Sequence, residues 1–451
     1  MKHLITALKP SWVIKWMKKL KRNLQMAEQS KTYCPLPFIH SHAGLNGKYK
    51  PCCNSDSLFN HWEYHIEKLG YDDWFRHPEM NQLRKDLLTG VKNKMCDVCW
   101  RQEETSNTSY RTNYIRKYQN DKINHNNPKI TYIDIKLSNE CNLGCRHCDY
   151  TNTTQIHKDM QSMEQQGMPL PSQWGRSPGF ERRVADKDRG DMYHKQPKKV
   201  VDELIELMPN LKHLKVTGGE PTITKEFFRL VDYAVENDYA KNLNFYITTN
   251  GTRFTPDFIE KLQHFKNLYL TVSCDGYGNA YEYIRYPFTW KMFEKRIRVV
   301  AEHLKSKEHN IRSISFNCVA QLQNLENISK LESWIWELFG DKASLHVQPH
   351  INPSDSTNEP SYLPKHILQK ALDDIKITNA KTGYDLKMYT DMLNYMIKNY
   401  ENTEMFKKYR STKELVKVKN ALINIDKIRN QDYKKCLEPL TVEWVDSLDV
   451  K

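Results

Sequence analysis

The feature that most limits what this chain can fold into is an alternation that begins near residue 129. Six short runs rich in β-branched and aromatic residues read as strands: "ITYIDIKLS" (130–138), "HLKVTGG" (213–219), "LNFYITTN" (243–250), "LYLTVSCDG" (268–276), "SISFNCVAQ" (313–321) and "SLHVQPH" (344–350). Between them, "KKVVDELIELM", "FFRLVDYAVEN", "FTPDFIEKLQHF", "WKMFEKRIRVVAEHL" and "ISKLESWIWELF" place apolar residues at i, i+3 and i+4, the stripe of a crossover helix. Strand and helix in strict series call for a parallel sheet covered by helices. Six such units make most of a barrel, so the expected fold class is α/β, a partial (β/α)6 TIM-like barrel over 129–352, with its chemistry at the C-terminal strand ends.

A chain of 451 residues has room for more than a barrel. Residues 31–105 contain Cys34, Cys52, Cys53, Cys96 and Cys99 and read as a small Cys-rich N-terminal domain, with 106–128 as linker and 353–451 as a helical C-terminal extension. Residues 1–30 read as a basic amphipathic leader, in which Trp12, Val13, Ile14, Trp16, Met17 and Leu20 recur at helical spacing among lysines. That stripe suits packing on the rest of the protein better than a membrane surface. The first crossover is much longer than the others. Within its 151–196 excess, the Gly/Pro-rich, charged stretch 165–196 reads as a loop inserted near the active face. The net charge of +13 favours an anionic partner: an acidic peptide, a nucleotide cofactor or nucleic acid. No apolar run is long enough to span a bilayer and the leader is too interrupted for a secretory signal, so the expected location is cytoplasmic. In a reducing compartment, closely spaced cysteines point to metal before disulfides.

"ECNLGCRHCDY" (140–150) then stands out, because Cys141, Cys145 and Cys148 directly follow the first strand. Three thiolates on one loop can hold three corners of a four-iron four-sulfur cluster and leave the fourth iron open. A zinc site with His147 as fourth ligand is the alternative, although His147 is adjacent to Cys148, which makes joint chelation awkward.

Cys-x3-Cys-x2-Cys after a first strand resembles the radical S-adenosylmethionine superfamily. The resemblance extends to "TGGEP" (217–221), "TTNGT" (248–252) and "SCDG" (273–276), each at the end of a successive strand. Gly218 and Gly219 lack a Cβ, so the backbone can approach a ligand closely, and the Glu220 carboxylate can accept hydrogen bonds from an ammonium group. The resemblance implies that Gly218, Gly219, Glu220 and Pro221 hold the methionyl amino group of S-adenosylmethionine while its amino and carboxylate groups chelate the open iron. Asn250, Ser273 and Asp275 are the further cofactor candidates, the last two for ribose hydroxyls. As residues of Asn-Gly and Asp-Gly loops, Asn250 and Asp275 are equally at home as turn formers. Asn317, Gln321, His346 and Gln348 alternate along the last two strands, so some face the barrel interior. The implied activity is reductive cleavage of S-adenosylmethionine to a 5'-deoxyadenosyl radical that abstracts hydrogen from a substrate, with an electron donor such as flavodoxin or ferredoxin. No general acid or base is assigned.

The upstream cysteines carry a second resemblance. Cys34, Gly47, Cys52 and the pair Cys96-x2-Cys99 are similar in order to the SPASM or shorter twitch auxiliary-cluster modules of that superfamily, placed here before the barrel rather than after it. The pattern favours Cys52 over Cys53 as ligand. Four sulfurs close a coordination sphere, so a structural or electron-relay role fits, and a four-Cys zinc fits the spacing as well. Cys274, Cys318 and Cys436 are isolated and read as small buried side chains. Relatives with such modules often modify peptides or proteins, which makes that the leading substrate class. RNA or a small molecule is the alternative, and a non-catalytic zinc-stabilised binding module is the reading from another class.

Overall fold

The computed structural model describes residues 31–45, 47–55, 66, 68–106, 108–149, 152–171, 174, 195–349, 357–401 and 404–448; the leader 1–30 and most of the 165–196 stretch lie outside them. The chain divides into two compact units, 1–135 with 198–212 and 136–197 with 213–451. The boundary therefore falls within the strand that opens the barrel series, and the first crossover helix, Lys198–Leu207, belongs to the first unit.

In the first unit, strand β1 (His40–Ala43) pairs in parallel with β3 (Tyr132–Lys136), His40 opposite Tyr132 and Ala43 opposite Ile135, and antiparallel with the short β2 (Tyr49–Lys50). Helix Pro78–Thr89 begins with proline at its first position and ends on Gly90 at φ 88°, the left-handed stop that glycine adopts without strain. The expected linker is instead structured. Ser109 accepts from the Thr112 N–H and donates its own N–H to the Thr112 hydroxyl, and this reciprocal cap starts helix Tyr110–Lys117. Arg111 ties that helix to the chain before β1, with Nη1 donating to the Tyr33 carbonyl at 2.7 Å and Nη2 paired with Glu103 at 2.5 Å. In the crossover helix, Glu203 accepts from the Tyr71 N–H at 3.0 Å, which fastens it to the same unit.

The second unit opens at the last residue of β3. Leu137 N–H donates to the Thr217 carbonyl at the end of β4 (His213–Thr217), and β5 (Asn244–Thr249), β6 (Asn267–Ser273), β7 (Ile311–Ala320) and β8 (Ala343–Pro349) follow, each parallel to the one before. This is the expected partial (β/α)6 barrel. Burial alternates along β5 and β6: Phe245, Ile247, Leu268, Leu270 and Val272 are buried, while Tyr246, Thr248, Tyr269 and Thr271 are half-buried. The period of two separates an apolar face, covered by helices such as Lys225–Glu236 and Trp290–His303, from a polar inner wall. Across that wall Thr248, Thr271, Ser315 and Ser344 are successive register partners, a row of hydroxyls. Beyond β8 the regular structure is entirely helical among the described residues, from Lys365–Thr382 through Thr412–Arg429 to Pro439–Ser447. The long first crossover opens with a helix, Gln155–Gln165, ahead of the stretch expected as loop; its Ile156, Met160 and Met163 pack with Trp174 and with Ile425 of helix Thr412–Arg429.

Candidate functional site

The loop after β3 carries the three cysteines and is braced from two strand ends. Gly219 N–H donates to the Ser138 carbonyl at 2.6 Å and Glu220 N–H to the Glu140 carbonyl at 2.7 Å. A Cβ on Gly219 would stand 2.3 Å from the Glu140 oxygen and 2.7 Å from the Asn139 carbonyl carbon, so only glycine permits this contact. A Cβ on Gly218 would meet the Ser138 oxygen at 2.7 Å. The close approach expected of the two glycines is thus made to the backbone of the cysteine loop.

Glu220 is fully buried. Its Oε1 accepts from the Thr222 N–H (3.0 Å), the Thr222 hydroxyl (2.6 Å) and the Thr249 hydroxyl (2.8 Å), and Oε2 accepts from the Asn250 N–H at 2.5 Å. Burial pushes its pKa up while these four donors pull it down. The carboxylate binds the end of β4 to the end of β5, which turns Asn250 inward. Asn250 Nδ2 then donates to Asn142 Oδ1 at 2.9 Å and lies 3.8 Å from the Cys141 sulfur, while its Oδ1 accepts from Thr252 N–H and hydroxyl. Pro221 is buried at the start of a short 3-10 turn, and Ser273 is half-buried opposite Asn317.

Asp275 departs from its expected place among the ribose contacts. It is fully buried; Oδ1 accepts from the Val319 N–H at 2.6 Å, and Oδ2 lies 2.6 Å from Arg285 Nη2 and 3.5 Å from His147 Nε2. Gln321 is also buried and lies 3.2 Å from His147 Nδ1. With one ring nitrogen facing Asp275 and the other Gln321, His147 is engaged in this network and not turned to the sulfurs as a zinc ligand. His346 and Gln348, on the same face of β8 as Ser344 and opposite Asn317 and Val319, are exposed. Cys274 and Cys318 are fully buried and Cys436 half-buried.

The thiols themselves are poor anions without a counter-charge. Burial first, then the neighbouring Cys145, pushes Cys141 up to about 12, and Cys148 is raised well above the usual thiol value by burial, Cys145 and Asp149. A cationic cluster is what would reverse this, since thiolate ligation needs the proton displaced. Three soft sulfurs on a half-buried loop, with His147 turned to Asp275 and Gln321, fit such a group.

Sequence reasoning missed the C-terminal contribution. Arg146, between the second and third cysteines, has no exposed side-chain surface and pairs with Asp426; its Nη2 also donates to Gln431 Oε1 at 2.9 Å, its Nε to the Tyr283 carbonyl at 2.9 Å, and its guanidinium lies 3.5 Å from the Tyr283 ring centre. Arg429 reaches Asp159 of the inserted helix at 2.6 Å, and a Cβ on Gly144 would come within 2.9 Å of it. Asp426 and Arg429 sit in an amphipathic helix where a charge ordinarily signals solvent.

In the first unit, Cys34, Cys52, Cys96 and Cys99 line one cavity of about 20 Å³ together with Tyr110 and Arg111. Asn93 caps the short turn Lys94–Cys96 by accepting the Met95 N–H at 3.0 Å, and this presents Cys96 and Cys99 on one side. The Cys53 sulfur turns instead to the Tyr110 hydroxyl at 3.3 Å. Burial pushes Cys34 up to about 12, with Arg111 opposing, and raises Cys52 well above the usual range. Among the described residues no three His, Cys, Asp or Glu side chains are drawn together as for a single metal ion.

Residues 135–330 match the family model of the Radical SAM superfamily. Mycofactocin maturase MftC of Mycobacterium tuberculosis (strain CDC 1551 / Oshkosh) is 32% identical over 90 residues, 20% of this chain and 22% of that protein. The chain thus spans about a fifth of the length of the first curated relatives it matches. The AdoMet-dependent heme synthase of Methanosarcina barkeri is 24% identical over 205 residues, 46% of each protein. Among solved structures, Streptococcus suis SuiB bound to S-adenosylmethionine shares 15% identity at a TM-score of 0.36, covering 68% of this chain and 59% of that one.

Proposed function

We propose, on the premise that residues 135–330 form a radical SAM domain, that this protein is a radical SAM enzyme acting on a peptide or protein. Cys141, Cys145 and Cys148 would hold a four-iron four-sulfur cluster, with S-adenosylmethionine at the open iron. Once bound and reduced by a donor such as flavodoxin or ferredoxin, this pair supplies a 5'-deoxyadenosyl radical for hydrogen abstraction. The chain's own part is to place and shield it. Glu220 fixes Asn250 beside Cys141, and the loop buries Cys145 while leaving Cys141 and Cys148 half-buried. Gly218 and Gly219 keep the end of β4 against that loop, Pro221 starts the buried turn that follows, and Ser273, half-buried at the end of β6, is the hydroxyl offered to ribose.

The observation that carries the reading is the mutual fit of "TGGEP" and the cysteine loop, in which the glycines and Glu220 serve the loop's backbone and its neighbour Asn250. A peptide substrate is supported by the maturase relative; the net charge of +13 suits an acidic peptide and RNA alike. Cys34, Cys52, Cys96 and Cys99 would hold a second, auxiliary site, an iron-sulfur cluster or zinc, whose closed set of four sulfurs suits structure or electron relay.

Anaerobically purified protein, reduced with dithionite and supplied with S-adenosylmethionine, should release 5'-deoxyadenosine, and Cys145→Ala should abolish release. Full cleavage by that variant, or iron-free wild-type protein, refutes the assignment.

A further inference from the structure

Arg285 was singled out by no sequence motif, yet the structure sets it against the central cysteine. Gly144 N–H donates to the Tyr286 carbonyl at 2.7 Å and Arg146 N–H to the Ile284 carbonyl at 2.9 Å. The two bonds bracket Cys145 on the loop and Arg285 at the end of helix Asn279–Ile284, so the two residues lie on adjoining segments.

The arginine cannot swing away. Its side chain is 6% exposed, and Nη2 is held 2.6 Å from Asp275 Oδ2, while Asp275 is itself fixed by the Val319 N–H at 2.6 Å. Its Nε is buried and finds no acceptor among the described residues. An orphan donor of this kind is costly unless an anionic group completes it. The guanidinium is also the foremost charge opposing burial at the Cys145 thiol, and it acts on Cys141 in the same sense.

We propose that Arg285, held beside the cysteine loop by Asp275, is a positioning residue whose fixed charge makes a cluster bound at Cys141, Cys145 and Cys148 easier to reduce. The inference rests on the function proposed above. The couple is a one-electron reduction by an external donor, with no bond made or broken. A buried cation close by in a medium of intermediate dielectric favours the more negative state, and Asp275 offsets part of that effect.

The test is a potentiometric titration of reconstituted protein with dithionite, read by electron paramagnetic resonance, with iron and sulfide counted in each sample. In Arg285→Gln at unchanged iron content, the ratio of reduced to oxidised protein at a given potential should fall about tenfold, equivalent to about 59 mV for one electron. Arg285→Lys should recover most of that, and Asp275→Asn should move the potential upward. A wild-type potential in Arg285→Gln, or a downward shift in Asp275→Asn, overturns the proposal. Should Arg285→Gln take up no iron, the direction of the Asp275→Asn shift decides alone, upward in support and otherwise against. Wild-type protein without iron is a different failure, which removes the three-cysteine site itself.

Discussion

Asp426→Asn tests whether the C-terminal helix holds the cysteine loop in place. Arg146 has no exposed side-chain surface and Asp426 only 9%, so the substitution leaves a guanidinium buried against a neutral partner. Breaking such a pair from one side costs about 3–5 kcal/mol. Arg146 keeps Gln431 at 2.9 Å, the Tyr283 carbonyl at 2.9 Å and the Tyr283 ring, and asparagine can keep one acceptor for the Tyr433 N–H that Asp426 now takes at 2.8 Å. The lower end, about 3 kcal/mol, is therefore expected. The assay is urea unfolding of the cluster-free protein, so that metal binding does not enter. The decisive companion is the double variant Arg146→Met/Asp426→Asn, in which no uncompensated charge remains and stability should return to within about 1 kcal/mol of wild type. A single variant that costs less than about 1 kcal/mol, or a double variant no better than the single, would show that the pair does not act through charge burial.

Gly219→Ala should destabilise the protein by about 1–3 kcal/mol or more and lower iron uptake, because a Cβ 2.3 Å from the Glu140 oxygen meets backbone that has no rotamer to change. Wild-type unfolding and iron content in that variant would contradict the contact. In the first unit, Cys52→Ser should remove the metal of one site by elemental analysis while Cys53→Ser retains it, since Cys52 lines the cavity and Cys53 faces Tyr110. The reverse pattern would reassign the ligand.

The barrel was legible because period-two and period-3.6 patterns are local, and "LNFYITTN" and "FFRLVDYAVEN" became β5 and helix Lys225–Glu236 with small shifts at their ends. At the strand ends the structure shows contacts between these residues that their sequence spacing does not specify. Gly219 was read as making room for a ligand, yet its missing Cβ makes room for the Glu140 carbonyl; from sequence a close approach can be inferred, but not its target. Asp275 was read from the Asp-Gly pair as turn former or ribose ligand, and its partner Arg285 lies one helix further on, in a stretch with no motif. The supposed linker held a helix because its start signal, Ser109 with Thr112, lies in a polar run that otherwise suggests coil.

What stayed invisible shares one physical cause. The loop of Cys141, Cys145 and Cys148 is braced by the "TGGEP" backbone, by Ile284 and Tyr286, and by Arg146 and Arg429 with their partners Asp426 and Asp159. Only the first brace leaves a signature in sequence, because bare backbone contact demands glycine. The second is made by main-chain groups that any residue supplies. The third depends on charges that, on an amphipathic helix, are indistinguishable from a solvated face until the partner is located. A cysteine motif therefore identifies where a cluster would sit long before it reveals what holds the motif still. The ion pairs contributed by Thr412–Arg429 make the C-terminal helices part of the site rather than an appendage to it.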